Sequence, residues 1–85
     1  HLIITGRVQG VFFRANTQKK ARELGMMGWI RNAENGDVEA VVQGSSSALK
    51  ALIDYLYSSP GSSEVEEIIH KEHKQGAFSS FDIIN

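Results

Sequence analysis

The chain has 85 residues, of which 41% are hydrophobic, and a formal net charge of −1. A chain of this length buries roughly 60% of the surface that its unfolded form exposes, which is enough for one domain spanning residues 1–85. The near-neutral charge is unlike that of a dedicated nucleic-acid binder, and no apolar run approaches the roughly 20 residues of a membrane span. The absence of cysteine excludes disulfides, thiolate metal sites and cysteine nucleophiles. No signal peptide is visible, so the cytoplasm is the expected location.

The chain opens with the pattern of a strand followed by a helix. Leu2 to Val8 is rich in β-branched residues and favours a strand. From Arg14 to Leu24 the apolar residues recur at helical spacing. Gly25 is suited to end this helix, because glycine readily adopts the left-handed conformation found there.

A hairpin is predicted next. Met26 to Asn32 and Asp37 to Gln43 have the composition of strands. Between them lies Asn35-Gly36, a strong hairpin signal because both residues tolerate positive φ.

The second half predicts one more helix and two more strands. Ser45-Ser46-Ser47 offers a hydroxyl N-cap for a helix that runs to about Tyr57. Val65 to His73 is predicted to be a fourth strand and Ser80 to Ile84 a short fifth. The order βαββαβ with a final strand is typical of the split-βαβ, ferredoxin-like α+β fold, an antiparallel sheet with two helices on one face.

This topology brings two distant segments to one end of the sheet. The first two strands are joined by a helical crossover, so they should run parallel, about one intervening strand apart. The segment from Gln9 to Arg14 leaves the first strand at the end where Asn32 closes the second. We therefore expect the two segments to build one site.

The segment from Gln9 to Arg14 has the composition of a phosphate cradle. It connects a strand to a helix N-terminus, where free backbone N–H groups and the helix dipole favour an anion. Gly10 permits close backbone approach, and the guanidinium of Arg14 can bind two phosphate oxygens. The spacing matches neither a nucleotide P-loop nor GxGxxG, which favours a small phosphate ester or anhydride.

Other polar and aromatic residues are interpreted more simply. The amide of Asn32 either holds a water in line with the bound phosphorus or starts the hairpin turn. His70 and His73 point to opposite faces of a strand, so no metal site is expected there. We expect Trp29 to belong to the core.

Two segments together resemble the signatures of the acylphosphatase family, GxVQGVxFR and GWVxNxxDGxVE. Gly6 to Arg14, GRVQGVFFR, matches the first at every position. Gly28 to Glu39, GWIRNAENGDVE, differs from the second by Ile30 for Val and Asn35 for Asp. The resemblance spans nearly the whole chain.

The resemblance implies a metal-independent, cofactor-free enzyme that hydrolyses the carboxyl–phosphate bond of acyl phosphates. It implies that Arg14 and Asn32 are the catalytic residues. The phosphate-binding loop of the family matches Gln9, Gly10, Val11, Phe12 and Phe13. We expect a monomer that binds a small acyl phosphate, releases inorganic phosphate and is competitively inhibited by it, with no nucleic-acid or membrane partner.

Two alternatives stay open at this point. One is a catalytically inactive module that binds phosphate or another anion on the same fold, since fold alone does not decide function. The other is a fragment of a larger enzyme, because similar domains open the hydrogenase-maturation carbamoyltransferases. There proline usually follows the arginine of the first motif, whereas Ala15 follows Arg14 here, which favours a free-standing enzyme.

Overall fold

The computed structural model describes residues 1–9, 12–58, 63–71 and 78–84. Within these residues the helices and strands follow the predicted order, with small differences at their ends. They are β1 (Leu2–Arg7), α1 (Phe13–Glu23), β2 (Met27–Asn32), β3 (Val38–Gln43), α2 (Ser46–Tyr57), β4 (Glu64–His70) and β5 (Phe81–Ile83). The predicted fourth strand is too long at its end, because β4 stops at His70 and Lys71 is no longer part of it; residues 72 and 73 of the prediction lie outside the described residues. No described helix is long and apolar enough to cross a membrane.

The described strands form one sheet in the order β4-β1-β3-β2-β5. β3 pairs antiparallel with both β1 and β2, so these two run parallel with β3 between them, as predicted. β5 pairs parallel with β2, so the sheet is mixed rather than purely antiparallel. The reason is that the chain reverses direction between β4 and β5, which aligns β5 with β2 along the sheet edge.

The core lies between the sheet and the two helices. Ile30, Phe13 and Leu52 from β2, α1 and α2 are all buried there. Trp29 points to the opposite face of the sheet because side chains alternate along a strand. It is only partly buried, next to Val41 across the strands and with the Arg31 guanidinium 5.3 Å from its ring centre. The expectation that Trp29 belongs to the core is therefore wrong.

The ends of the helices follow from local sequence. Gly25, with φ of 72°, ends α1 in a Schellman motif, in which the Met26 N–H donates to the Ala21 carbonyl at 2.9 Å. The Ser45 hydroxyl caps α2 by accepting a hydrogen bond from the Ala48 N–H at 3.1 Å, which confirms the predicted hydroxyl cap.

Candidate active site

At the start of α1 several backbone N–H groups have no hydrogen-bond acceptor within the helix. The first hydrogen bond within this helix runs from the Asn16 N–H to the Phe12 carbonyl at 3.0 Å, so the N–H groups of residues 13–15 have no acceptor in the helix. Phe12 occupies the N-cap position in the left-handed conformation, with φ of 60°, and its side chain cannot accept a hydrogen bond. No acidic residue lies in the first turn. This helix end is therefore open to an anion from outside.

Arg14 lies in this first turn and lines a cavity of about 290 Å³. Its side chain is half-buried, and no described residue forms a hydrogen bond or an ion pair with it. The other residues that line the cavity are Val8, Phe12, Phe13, Ala15 and Ile83. Arg14 is thus the only charged residue among the described residues that line the cavity.

Only some of the predicted site residues line the same cavity. Phe12, Phe13 and Arg14 line the same cavity, whereas Gly10 and Val11 lie outside the described residues. Asn32 is exposed at the end of β2 and lines a second cavity together with Arg31 and residues 33–35. The parallel arrangement of β1 and β2 places both cavities at the same end of the sheet.

Asn32 does not build the turn that follows it. The hairpin loop is closed by the Ala33 N–H, which donates to the Asp37 carbonyl at 2.8 Å. Inside the loop the Asn35 side chain accepts from the Asp37 N–H at 3.1 Å, and Gly36 has φ of 97°. The side-chain amide of Asn32 has no hydrogen-bond partner among the described residues. Its amide therefore remains available to a ligand or a water.

Gln9 connects the two parts of the site. Its partly buried side-chain amide donates to the carbonyl of Ala33 at 2.9 Å and to that of Asp37 at 2.8 Å. Both N–H groups of the amide are thus committed, which leaves the backbone N–H of Gln9 as its possible phosphate ligand. Sequence reasoning missed this bridge, because nothing in the pattern indicates which distant carbonyls a glutamine side chain will meet.

The described residues contain no cluster of three histidine or acidic side chains that could hold a metal ion.

Partial burial lowers the pKa of the His1 terminal ammonium, which donates to the Lys71 carbonyl at 2.8 Å. His1 precedes β1, at the end of that strand opposite the Arg14 cavity. This titrating group therefore has no part in the site.

Comparison with known families identifies one match along the chain. The family model described as Acylphosphatase matches residues 1–83. A protein of Chloroflexus aurantiacus named acylphosphatase is 45% identical, in an alignment that covers 99% of this chain and 92% of that protein. One from Roseiflexus sp., also named acylphosphatase, is 45% identical over 99% of this chain and 91% of its own length.

Solved structures show the same fold. The crystal structure of acylphosphatase from Bacillus subtilis matches with a TM-score of 0.92 and 29% identity, covering 99% of this chain and 94% of that one. Full-length HypF in its phosphate- and nucleotide-bound form matches with a TM-score of 0.89 and 29% identity. There the match covers 99% of this chain but 11% of HypF. The fold thus occurs both in small enzymes and within a much longer chain.

Proposed function

The chain belongs to the acylphosphatase family and is an enzyme that hydrolyses acyl phosphates; we propose that Arg14 and nearby backbone N–H groups bind the phosphoryl group while Asn32 positions the attacking water. The observation that carries this proposal is the half-buried Arg14, which has no partner among the described residues and faces a cavity at an uncapped helix end. An anion in that cavity pairs with the Arg14 guanidinium and accepts hydrogen bonds from the N–H groups at the helix end.

The phosphoryl group is held by charge and by directed hydrogen bonds. The guanidinium of Arg14 donates to two phosphoryl oxygens, as arginine does at other phosphate sites. The N–H groups at the start of α1 donate to the remaining oxygen, where the helix dipole also favours negative charge. The proposed cradle includes the backbone of Gln9, Phe12 and Phe13. It also includes Gly10 and Val11, which lie outside the described residues.

With the phosphoryl group bound, the reaction requires a water molecule that is positioned for attack on phosphorus. The amide of Asn32 accepts a hydrogen bond from the water and aims its oxygen at phosphorus. The new P–O bond forms as the bond to the acyl oxygen breaks, and the carboxylate leaves with the electron pair. One water proton passes to a phosphoryl oxygen, so inorganic phosphate is released.

No general acid is required in this scheme. The departing carboxylate has a conjugate acid with a pKa of about 4, so it leaves without prior protonation. Phosphoryl transfer depends mainly on positioning and on stabilisation of charge, which Arg14 and Asn32 supply. A pH–rate profile that showed an essential protein base near neutrality would contradict the proposed transfer of the proton to the substrate.

The test is hydrolysis of benzoyl phosphate in the presence of EDTA by the wild type, Arg14→Ala and Arg14→Lys. We expect rapid EDTA-insensitive turnover by the wild type, almost complete loss in Arg14→Ala, and partial activity in Arg14→Lys, which keeps the charge but not the planar fork. Arg22→Ala, at the exposed far end of α1, is the matched control and should keep full activity.

The outcomes separate the proposal from its rival. Full activity in Arg14→Ala would overturn the assigned role of this residue. Phosphate binding by a wild type that turns over no acyl phosphate would instead indicate an inactive anion-binding module. Activity that disappears with EDTA and returns with a divalent cation would contradict the proposed metal-independent mechanism.

A further inference from the structure

We propose that the cavity beside Asn32 binds a small polyol, and that the enzyme transfers the phosphoryl group to a hydroxyl of this polyol as well as to water. This acceptor cavity is lined by Arg31, Asn32, Ala33, Glu34 and Asn35. The inference rests on the function proposed above, because it uses Arg14 to hold the phosphoryl group and Asn32 to aim the nucleophile.

The acceptor cavity is much larger than hydrolysis requires. Its volume is about 550 Å³, against about 290 Å³ for the cavity that Arg14 lines. One water takes up about 30 Å³ in the liquid, and cavities that bind small molecules have volumes of roughly 300–1,000 Å³. Since the nucleophile lies next to the Asn32 amide, a hydroxyl-bearing molecule of a few carbon atoms has room at the position where the water is held.

Two polar side chains of the acceptor cavity are free to bind such a molecule. The Asn32 amide and the Glu34 carboxylate have no hydrogen-bond or ionic partner among the described residues. The other polar side chains of the described lining are occupied, since Arg31 pairs with Glu39 at 2.7 Å and the Asn35 side chain bonds within the turn. Asn32 and Glu34 therefore decide what the cavity can hold.

Asn32 and Glu34 together favour a ligand with two hydroxyl groups and no negative charge. An ionised carboxylate only accepts hydrogen bonds and repels anions, so one hydroxyl donates to Glu34. The amide carbonyl of Asn32 accepts from a second hydroxyl, whose oxygen is then directed at phosphorus as that of the water is. A polyol binds both side chains at once, whereas an alcohol with one hydroxyl binds only one of them.

Transfer to an alcohol needs no group beyond those used for hydrolysis. The hydroxyl oxygen attacks phosphorus, and the new P–O bond forms as the bond to the acyl oxygen breaks. The carboxylate leaves with the electron pair and the hydroxyl proton passes to a phosphoryl oxygen, so the product is a phosphate monoester. Nucleophile and leaving group lie in line on opposite sides of phosphorus, so a polyol beside Asn32 does not displace the acyl group. An acyl phosphate is a mixed anhydride, so transfer to a hydroxyl releases free energy.

The experiment supplies acetyl phosphate together with increasing glycerol, or with 1-propanol, which has the same number of carbon atoms but one hydroxyl. ³¹P NMR measures the phosphate monoester and the inorganic phosphate that are formed. We expect the rate of glycerol phosphate formation to saturate while the release of inorganic phosphate falls with the same midpoint, since glycerol and water compete for one cavity. Glycerol should react about tenfold faster than 1-propanol, which is the effect of one additional hydrogen bond to a charged group.

The variants Glu34→Ala and Glu66→Ala separate the acceptor cavity from a general effect of charge. Glu34→Ala should lower the ratio of glycerol phosphate to inorganic phosphate about tenfold, toward the ratio found with 1-propanol. Glu66→Ala is the matched control, because it removes an exposed carboxylate on β4 that does not line the cavity, and it should leave this ratio unchanged.

The other outcomes have distinct meanings. Hydrolysis without glycerol phosphate, or a rate of transfer that rises linearly and equally with both alcohols, would overturn the inference and leave the proposed function standing. An unchanged ratio in Glu34→Ala would mean that glycerol does not bind at Glu34, which also contradicts the inference. If the wild type consumed no acetyl phosphate, the proposed function would fail as well.

Discussion

The side-chain amide of Gln9 lies between two carbonyl oxygens of the β2–β3 hairpin, 2.9 Å from that of Ala33 and 2.8 Å from that of Asp37. Gln9 belongs to the loop that leads to Arg14, and Ala33 directly follows Asn32. One side chain therefore fixes the proposed phosphate cradle relative to the proposed water-positioning residue, although the two lie in separate cavities.

Replacement of Gln9 by alanine should lower both stability and turnover. Two hydrogen bonds are lost, while each of the two hairpin carbonyls keeps a backbone N–H donor, so the free energy of unfolding should fall by about 1–3 kcal/mol. Because Asn32 is then no longer held in place, kcat should fall by about tenfold or more, with a smaller change in the inhibition constant of phosphate. Urea unfolding and steady-state kinetics with acetyl phosphate measure the two effects.

The matched control for Gln9 is Gln18→Ala. Gln18 also donates its side-chain amide to a backbone carbonyl, but the acceptor is Phe81 of β5 at 2.9 Å and not a residue of the hairpin. We expect a loss of about 1 kcal/mol in the free energy of unfolding with kcat for acetyl phosphate unchanged. An equal loss of kcat in both variants would mean that the Gln9 bridge supports the fold only.

Asn32→Ala should separate catalysis from phosphate binding. Loss of one positioning hydrogen bond should lower kcat about 10²–10³-fold, by analogy with the loss of an oxyanion donor. Since Arg14 is untouched, phosphate should remain a competitive inhibitor with a nearly unchanged inhibition constant. Asn35→Ala is the control, because this side chain bonds only within the turn and its loss should affect stability more than kcat. Full activity in Asn32→Ala would contradict the water-positioning role.

Gly28→Ala should be far more harmful than Gly36→Ala, although both glycines have positive φ. A Cβ at Gly28, with φ of 139°, would lie 1.9 Å from the Val41 carbonyl oxygen, so β2 and β3 would have to separate. We expect a loss of about 3 kcal/mol or more in the free energy of unfolding. At Gly36, with φ of 97°, nothing lies within 4 Å of an added Cβ, and the loss should be about 1–2 kcal/mol.

Urea unfolding measures the free energy of unfolding of the Gly28→Ala and Gly36→Ala variants. Circular dichroism shows whether the Gly28 variant folds at all. Equal losses in the two variants would mean that the close approach of β2 to β3 at Gly28 is not a constraint in solution. A Gly28 variant as stable as the wild type would contradict the described register of these strands.

The sequence predicts those features that depend on periodicity and on the rules of connection. Helical spacing and β-branched runs located every described helix and strand, and the right-handed crossover placed β1 parallel to β2. The parallel pairing of β5 was missed, because its direction depends on how the chain returns from β4. Trp29 was assigned to the core because hydrophobicity does not indicate which face of a strand is covered by helices.

The chemistry of the site was predicted in outline. Arg14 and Asn32 were placed at one end of the sheet by topology, and the resemblance to known motifs gave each a role that stays a prediction. The bridge made by Gln9 and the exposed ring of Phe12 were not predicted. Both depend on side-chain positions between segments distant in sequence, which no local pattern encodes.

The most direct test of the central claim is a titration of the ¹⁵N-labelled protein with inorganic phosphate, followed by ¹H–¹⁵N correlation spectra at constant ionic strength. We predict saturable shifts in the backbone N–H groups of residues 9–15 and in the Arg14 side chain, with a Kd equal to the inhibition constant of phosphate. Arg14→Ala should abolish them. Saturable shifts confined to residues 31–35, or unchanged binding by Arg14→Ala, would contradict the account.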